Sequence, residues 1–428
     1  MSEQQVNIST KPTCLGDWLT LLEQRHPSVI DMGLDRVGQV AQRLFPSLSQ
    51  PIITVGGTNG KGSVCGMLST ILKCAGYKVG TYTSPHLIHY NERVAVDLVP
   101  ASDEAIVASF DSVEHARGDV SLTYFEFGTL AAVRLFEMQD VDVIVLEVGL
   151  GGRLDAVNVF EPIATAVVSI DLDHQSYLGN TREAIGFEKA GIFRSGIPAL
   201  CSDPSPPQSV LEHASQIDAD LRLIGRDYGF QSQQTQWSYW GQSGSRKHGL
   251  PFPALRGAYQ LSNATTAIAL LDCVKEVLPV SLGDIKRGLL EVEVRGRFQV
   301  LPGRPAIVLD VAHNPHAAKA FVHNLDNMGY FKRTLAVFGI MADKDVAGVL
   351  QILGGRIDHW YLANLPTGRA ATAMQLSELI GLEAGKPIDL FETISAAYAA
   401  ACKDAGENDR IVVFGSHYTV AEVLLARN

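Results

Sequence analysis

Residues 52–63 read IITVGGTNGKGS. The apolar IITVG has the character of a short buried strand, and residues 64–74 repeat apolar positions at helical spacing until Gly76 stops them. The glycines between form a tight strand-to-helix turn. Backbone amides in such a turn, opening into a helix N-terminus, make a local site for phosphate, and a lysine within it neutralises the outer phosphates. Thr58, Asn59, Gly60 and Lys61 are placed for that work. The usual phosphate loop spells GxxxxGK[ST]; here Val55 occupies the first glycine position and Gly62 separates Lys61 from Ser63. A glycine pair alone is often just a turn, but a lysine between two glycines argues for the phosphate.

Outward from this unit, KVGTYTS, VDVIVLEV and IATAVVSI read as further strands, with helical stretches such as FGTLAAVRLFEMQ between them. Strands this uniformly apolar, alternating with helices, predict a parallel sheet covered on both faces. Upstream, residues 15–45 show helical spacing interrupted by HPSVIDMG, which predicts two helices around a loop at Asp31 to Gly33. Residues 225–249 are rich in Gln, Ser, Trp and Tyr, and the alternation in FQSQQTQWSYW predicts an antiparallel excursion. Beyond Gly296 a new series opens with PAIVLDV, RTLAVFGI, HWYLAN and RIVVFGS, four strands alternating with helices. The expected fold class is α/β: residues 1–296 form a P-loop domain with a mostly parallel sheet, and residues 297–428 a smaller, Rossmann-like domain. Gly296 and its neighbours are the expected hinge.

The chain of 428 residues is 46% hydrophobic and carries a formal net charge of -11, which excludes a general nucleic-acid or anionic-membrane surface. Six scattered cysteines without a CxxC pair suggest neither a zinc site nor a disulfide framework, so a reducing cytoplasm is expected. No basic leader and no run of about 18 apolar residues is present, so export and membrane spanning are not expected. A monomer is expected.

Charged groups that end apolar strands sit at the carboxyl edge of the sheet, where open α/β folds bind ligands. Glu147 ends VDVIVLEV, and IATAVVSI runs into DLDH to deliver His174. With a nucleotide there, both can hold Mg²⁺, which takes few protein ligands and keeps waters. The alternatives are an ion pair of Glu147 with Arg153 and a hydrogen-bonded loop histidine. Lys189, in FEKAGIF, is either a solvated cation or a partly buried, nucleophilic amine. Across the boundary lie Arg297 and the series Asp310, His313 and Asn314; Asp310 can accept from ribose hydroxyls, or Asp310 or Asn314 can cap the helix that Pro315 begins.

In order and along nearly the whole chain, GTNGKGS, SPHL, TYFEFGT, LEVGLGGRLDA, LDH, EKAGIF, GRFQ, DVAHNP, DKD and FGS resemble one family. It is the bacterial bifunctional dihydrofolate synthase/folylpolyglutamate synthase family, within the Mur ligase superfamily, whose loop has the form GTNGKG[ST]. The resemblance implies an ATP-dependent, ADP-forming amide ligase with an N-terminal ATPase domain and a C-terminal domain closing over it. It implies that Thr58 to Lys61 hold the triphosphate, that Ser84, Glu147 and His174 bind magnesium, and that Lys189 is carbamylated. Asn263, Arg297 and Asp310 match nucleotide positions. Asp31, Met32 and Gly33, with Thr123, Tyr124, Phe125 and Glu126 and with Leu154, Asp155 and Ala156, match segments that embrace the pterin. His313 and Ser416 fall near the glutamate. The implied substrates are 7,8-dihydropteroate, reduced folates and L-glutamate, their acidity offset by Lys61, Arg153, Arg297 and magnesium. Monofunctional polyglutamylation, a muramyl-peptide synthetase and a nucleotide-regulated switch remain as alternatives.

Overall fold

The computed structural model describes residues 12–28, 30–257, 259–381 and 385–427. Strand β1 (Ile52–Gly56) occupies the middle of an eight-stranded sheet with β2 (Val79–Tyr82), β3 (Val94–Val96), β4 (Val99–Pro100), β5 (Val143–Glu147), β6 (Ala164–Val167), β7 (Pro198–Cys201) and β8 (Asp220–Leu223). The spatial order is β4-β3-β2-β5-β1-β6-β7-β8, parallel except for the β3 and β4 edge. Successive residues of β5 bury into opposite layers: Ile144 and Leu146 join one apolar cluster, Val143 and Val145 the other. Two-sided burial is why these strands read as continuous apolar runs.

Helix Leu15–Arg25 and helix Asp35–Leu44 flank the loop that holds Asp31, as expected. The excursion at residues 225–249 is the three-stranded antiparallel sheet β9 (Gly229–Ser232), β10 (Trp237–Trp240) and β11 (Arg246–Leu250), with Trp237 and Tyr239 buried against the second cluster.

After Gly296 the chain builds a second sheet from β12 (Gln299–Leu301), β13 (Ala306–Leu309), β14 (Thr334–Phe338), β15 (His359–Ala363), β16 (Ile388–Phe391) and β17 (Arg410–Phe414), ordered β12-β13-β17-β14-β15-β16. It has six strands rather than the four expected. The extra two are edges: β12 pairs antiparallel with β13, and β16, partly exposed along its length, adds parallel to β15 between helix Ala373–Gly381 and helix Ile394–Asp404. Short, half-exposed strands lack the apolar run that marks the central ones. Among the described residues, no helix is long and apolar enough to cross a membrane.

Candidate active site

The carboxyl ends of β2, β5, β1 and β6 lie side by side. They deliver in turn Ser84, Glu147, the phosphate loop and the segment to His174. Three adjacent strands of the second sheet, β13, β17 and β14, deliver His313, Ser416 and Lys344 from the other side. Between the lobes is a cleft of about 820 Å³.

The phosphate loop is braced before any ligand enters. Gly60 adopts φ 92°, and a Cβ there would come within 2.8 Å of Asn263 Oδ1 and of Val168 Cγ1, so only glycine fits. Thr58 N–H donates to Ser169 O at 2.7 Å, and the Thr58 hydroxyl exchanges hydrogen bonds with the Asp171 backbone at 3.1 and 3.0 Å. Lys61 Nζ curls back to donate to Gly57 O at 3.0 Å and Thr58 O at 3.3 Å. Helix Lys61–Cys74 begins there, so its free N–H groups face the cleft.

Glu147 is 2% exposed, and its Oε2 accepts the Ser84 N–H at 3.3 Å. Burial raises its pKa, with Lys61 and Arg297 opposing. Arg153 does not pair with it: Arg153 binds Glu188 at 2.8 Å and is not among the residues lining the cleft. Partial desolvation pushes the His174 imidazole down to about 4, against the pull of Asp173, leaving it neutral at pH 7. Among the described residues, no group of three His, Cys, Asp or Glu side chains is arranged to hold a metal. Ser84, Glu147 and His174 offer a hydroxyl, one carboxylate and one neutral imidazole. That suits a magnesium ion whose remaining ligands are phosphate oxygens and water, and the buried Glu147 carboxylate is the group such a cation would compensate.

Lys189 lies in helix Arg182–Ala190, is 4% exposed and lines the cleft. Burial, then the charge of Lys61, pushes its ammonium down to about 7, so a large fraction is a free amine at neutral pH.

One wall of the cleft is built from three segments. Thr123 and Glu126 form a capping box at the start of helix Tyr124–Met138, with Glu126 Oε2 accepting the Thr123 N–H at 2.7 Å and Glu126 N–H donating to Thr123 Oγ1 at 3.2 Å. Phe125 packs closely on Gly149, where a Cβ would sit 2.5 Å from the tip of its ring. Asp155 accepts from Leu150 N–H at 2.7 Å and Val157 N–H at 3.0 Å, and burial pushes its pKa up to about 6. Its carboxylate shapes the loop carrying Leu154 and Ala156. Asp31 pairs with Arg36 at 2.8 Å, and Arg36 also holds Glu126 at 3.1 Å. Met32 and Gly33 complete that wall.

Two expected nucleotide residues are set back from the cleft. Asn263 is buried behind Gly60 and donates to Gln260 Oε1 at 3.0 Å. Asp310 accepts from Phe298 N–H and Ala312 N–H, both at 2.8 Å, and burial raises its pKa. Arg297, by contrast, lines the cleft. Asn314 caps helix Pro315–Asp326, accepting from Ala317 N–H at 2.9 Å, and also reaches across the lobes to Asn59 at 3.3 Å. His313 Nδ1 meets Val311 O at 2.8 Å, and Ser416 caps helix His417–Leu425 through Tyr418 N–H at 3.2 Å.

The Mur ligase, glutamate ligase domain family matches residues 296–417. The dihydrofolate synthase/folylpolyglutamate synthase of Escherichia coli strain K12 is 44% identical over 411 residues, 96% of this chain and 94% of that protein. The chain belongs to the dihydrofolate synthase/folylpolyglutamate synthase family. The solved structure of E. coli FolC in complex with DHPP and ADP superposes with a TM-score of 0.92 at 42% identity, covering 97% of this chain and 98% of that one. A bifunctional folylpolyglutamate synthase/dihydrofolate synthase with Mn, AMPPNP and L-glutamate bound gives 0.90 at 42% identity, over 97% and 98%.

Several cleft residues of this family member were not legible as site residues in the sequence. Asp173 is held from the other lobe by Lys344 Nζ at 2.7 Å, Asn314 Nδ2 at 3.2 Å and His313 Nε2 at 3.6 Å. Burial works against its charge, but His313, His174 and Lys344 outweigh it and hold the carboxyl well below the usual carboxylate range. The motifs LDH and DKD contain both partners but do not say that they meet. Arg93, His86 and Arg369 also line the cleft, beside His417 and Tyr418, which follow the expected Ser416.

Proposed function

We propose that this enzyme uses ATP to ligate L-glutamate to 7,8-dihydropteroate, giving dihydrofolate, and to reduced folates, giving γ-linked polyglutamates, with release of ADP and phosphate. The observation that carries the reading is the meeting, in one interlobe cleft, of the phosphate loop, the Ser84, Glu147 and His174 donors and the aromatic acceptor wall around Phe125.

A carboxylate does not acylate an amine in neutral water, so it must be activated. The acceptor carboxylate attacks the γ-phosphorus to give an acyl phosphate and ADP, and Lys61 spreads the charge of the transferring group together with the loop amides. The glutamate amine then attacks the acyl carbon, and the tetrahedral intermediate collapses with loss of phosphate. Ser84, Glu147 and His174 would hold a magnesium ion, which would neutralise charge at the phosphates. Lys189, as a carbamate, would present a carboxylate beside that ion, and its depressed pKa supports capture of CO₂ by the free amine. Thr123 to Glu126, Leu154 to Ala156 and Asp31 to Gly33 hold the pteridine, Asn263, Arg297 and Asp310 serve the nucleotide side, and His313 and Ser416 receive glutamate. Holding both reactants in line can contribute about 7 to 11 kcal/mol. The acyl phosphate must be kept from water, so residues 297–428 would close over residues 1–296 about Gly296, whose positive φ of 69° is one that glycine adopts readily.

The test is coupled ADP release with dihydropteroate and, separately, tetrahydrofolate, each with and without glutamate. Release requiring both acceptor and glutamate is expected in both arms. Hydrolysis indifferent to glutamate would overturn the ligase, and silence with dihydropteroate alone would leave only polyglutamylation.

A further inference from the structure

The two acceptors differ at the reacting end. Dihydropteroate offers one carboxylate, which reacts. A folate ending in glutamate offers two on its last residue, and only the γ-carboxylate reacts. A cleft that serves both needs a cation on the acceptor wall that is not already paired.

Arg93 meets that description. It lines the cleft on the N-terminal lobe, and its Nε–H donates to His86 Nδ1 at 2.8 Å. The guanidinium carbon lies 5.6 Å from the ring centroids of both Tyr90 and Tyr124. His86 and the two rings fix the plane of the guanidinium, so little side-chain freedom is lost when an anion arrives. Among the described residues no carboxylate pairs with Arg93, whereas Lys344 is taken by Asp173 and Arg36 by Asp31 and Glu126. Of the other unpaired guanidiniums in the cleft, Arg297 faces the phosphate loop, 3.9 Å from a Cβ built on Gly62, and Arg369 belongs to the opposite lobe. Tyr124, which Arg93 packs on, adjoins Phe125 of the acceptor wall.

We infer that Arg93 is a specificity-determining residue for glutamylated acceptors, its guanidinium receiving the α-carboxylate that does not react. This rests on the proposed ligase activity and deepens it: one cleft accepts both substrates because the subsite is filled by one and left to water by the other.

The experiment crosses an enzyme change with a substrate change. Wild type, Arg93→Gln and Arg93→Lys are assayed with dihydropteroate, with tetrahydrofolate, and with tetrahydrofolate whose α-carboxylate is a carboxamide. Losing a charge-assisted hydrogen bond predicts that Arg93→Gln lowers kcat/KM for tetrahydrofolate about 10- to 100-fold, chiefly through KM. The dihydropteroate value should fall less than about threefold, and Arg93→Lys should recover part of the loss. Wild type should discriminate against the carboxamide by the same factor, and Arg93→Gln should not, because the two changes remove one interaction. Equal losses with both acceptors, with a raised KM for glutamate, would reassign Arg93 to the incoming amino acid and overturn the inference. So would a wild-type enzyme indifferent to the carboxamide, a result that needs no variant to fold. Failure of wild type with dihydropteroate would strike the bifunctional reading instead, and the carboxamide comparison would still judge Arg93.

Discussion

Replacing Asp173 by Asn keeps the side chain's size and removes one charge from a contact that joins the lobes. Lys344 Nζ lies 2.7 Å from Asp173 Oδ1, and each side chain is 10% exposed. Removing one member of a buried pair costs about 3–5 kcal/mol when the other charge stays buried. Here opening the cleft would return Lys344 to water, so the penalty falls on closure and is capped by that escape. We expect closure to weaken by about 2–3 kcal/mol, or roughly 30- to 150-fold in the closed population. The assay is coupled ADP release with either acceptor, alongside small-angle scattering with a non-hydrolysable ATP analogue. Both acceptors should lose kcat/KM alike, and the scattering should report a larger radius of gyration than wild type. Lys344→Met in the same background removes the stranded cation, so the double variant should outperform Asp173→Asn alone. Activity within about threefold of wild type, or strictly additive losses in the cycle, would refute the latch. The carboxyl is held below its ordinary range, so the contribution of the contact is present above the unfolded pKa and is lost only as pH falls through the lower folded value. The closed state should therefore show no transition from this pair between about pH 5 and 8.

Lys189→Ala should lose most activity and regain part of it with short exogenous carboxylates; full turnover in the variant would exclude the carbamate. With the amine pKa near 7, CO₂-depleted wild type should recover with bicarbonate more completely at pH 8 than at pH 6. The lowered pKa also means that the unfolded chain binds more protons than the native one between about 7 and 10.5, so this group makes stability rise with pH across that window, and Lys189→Met should raise Tm at pH 7. Lys61→Ala should abolish phosphate release while leaving the circular dichroism spectrum unchanged, since its Nζ contacts are two loop carbonyls. Gly60→Ala must place a methyl 2.8 Å from Asn263 Oδ1 at φ 92°, so it should cost about 1–3 kcal/mol in chemical denaturation and weaken nucleotide binding in calorimetry.

Much of this protein was determined locally. IITVGGTNGKGS specifies strand, turn and helix because each part answers to its nearest neighbours: apolar residues to burial, glycines to positive φ, the helix start to its free amides. The same holds for Glu147 at a strand end, for the Thr123 and Glu126 capping box, and for Asn314 ahead of Pro315. Only the tertiary structure decided which of these ends meet. The order β2-β5-β1-β6 sets Ser84, Glu147, Lys61 and His174 along one edge, although the chain visits them far apart. Arg153, a natural partner for Glu147 by proximity in sequence, turns instead to Glu188, because helix Arg182–Ala190 packs beside its loop. Asp173 and Lys344 are 171 residues apart, and Arg93 meets Tyr90 within one 3₁₀ turn but Tyr124 only because a distant helix docks beside it. Ion pairs and free charges are made by the docking of whole layers, and that docking is fixed by buried area summed over many residues, which no short stretch encodes.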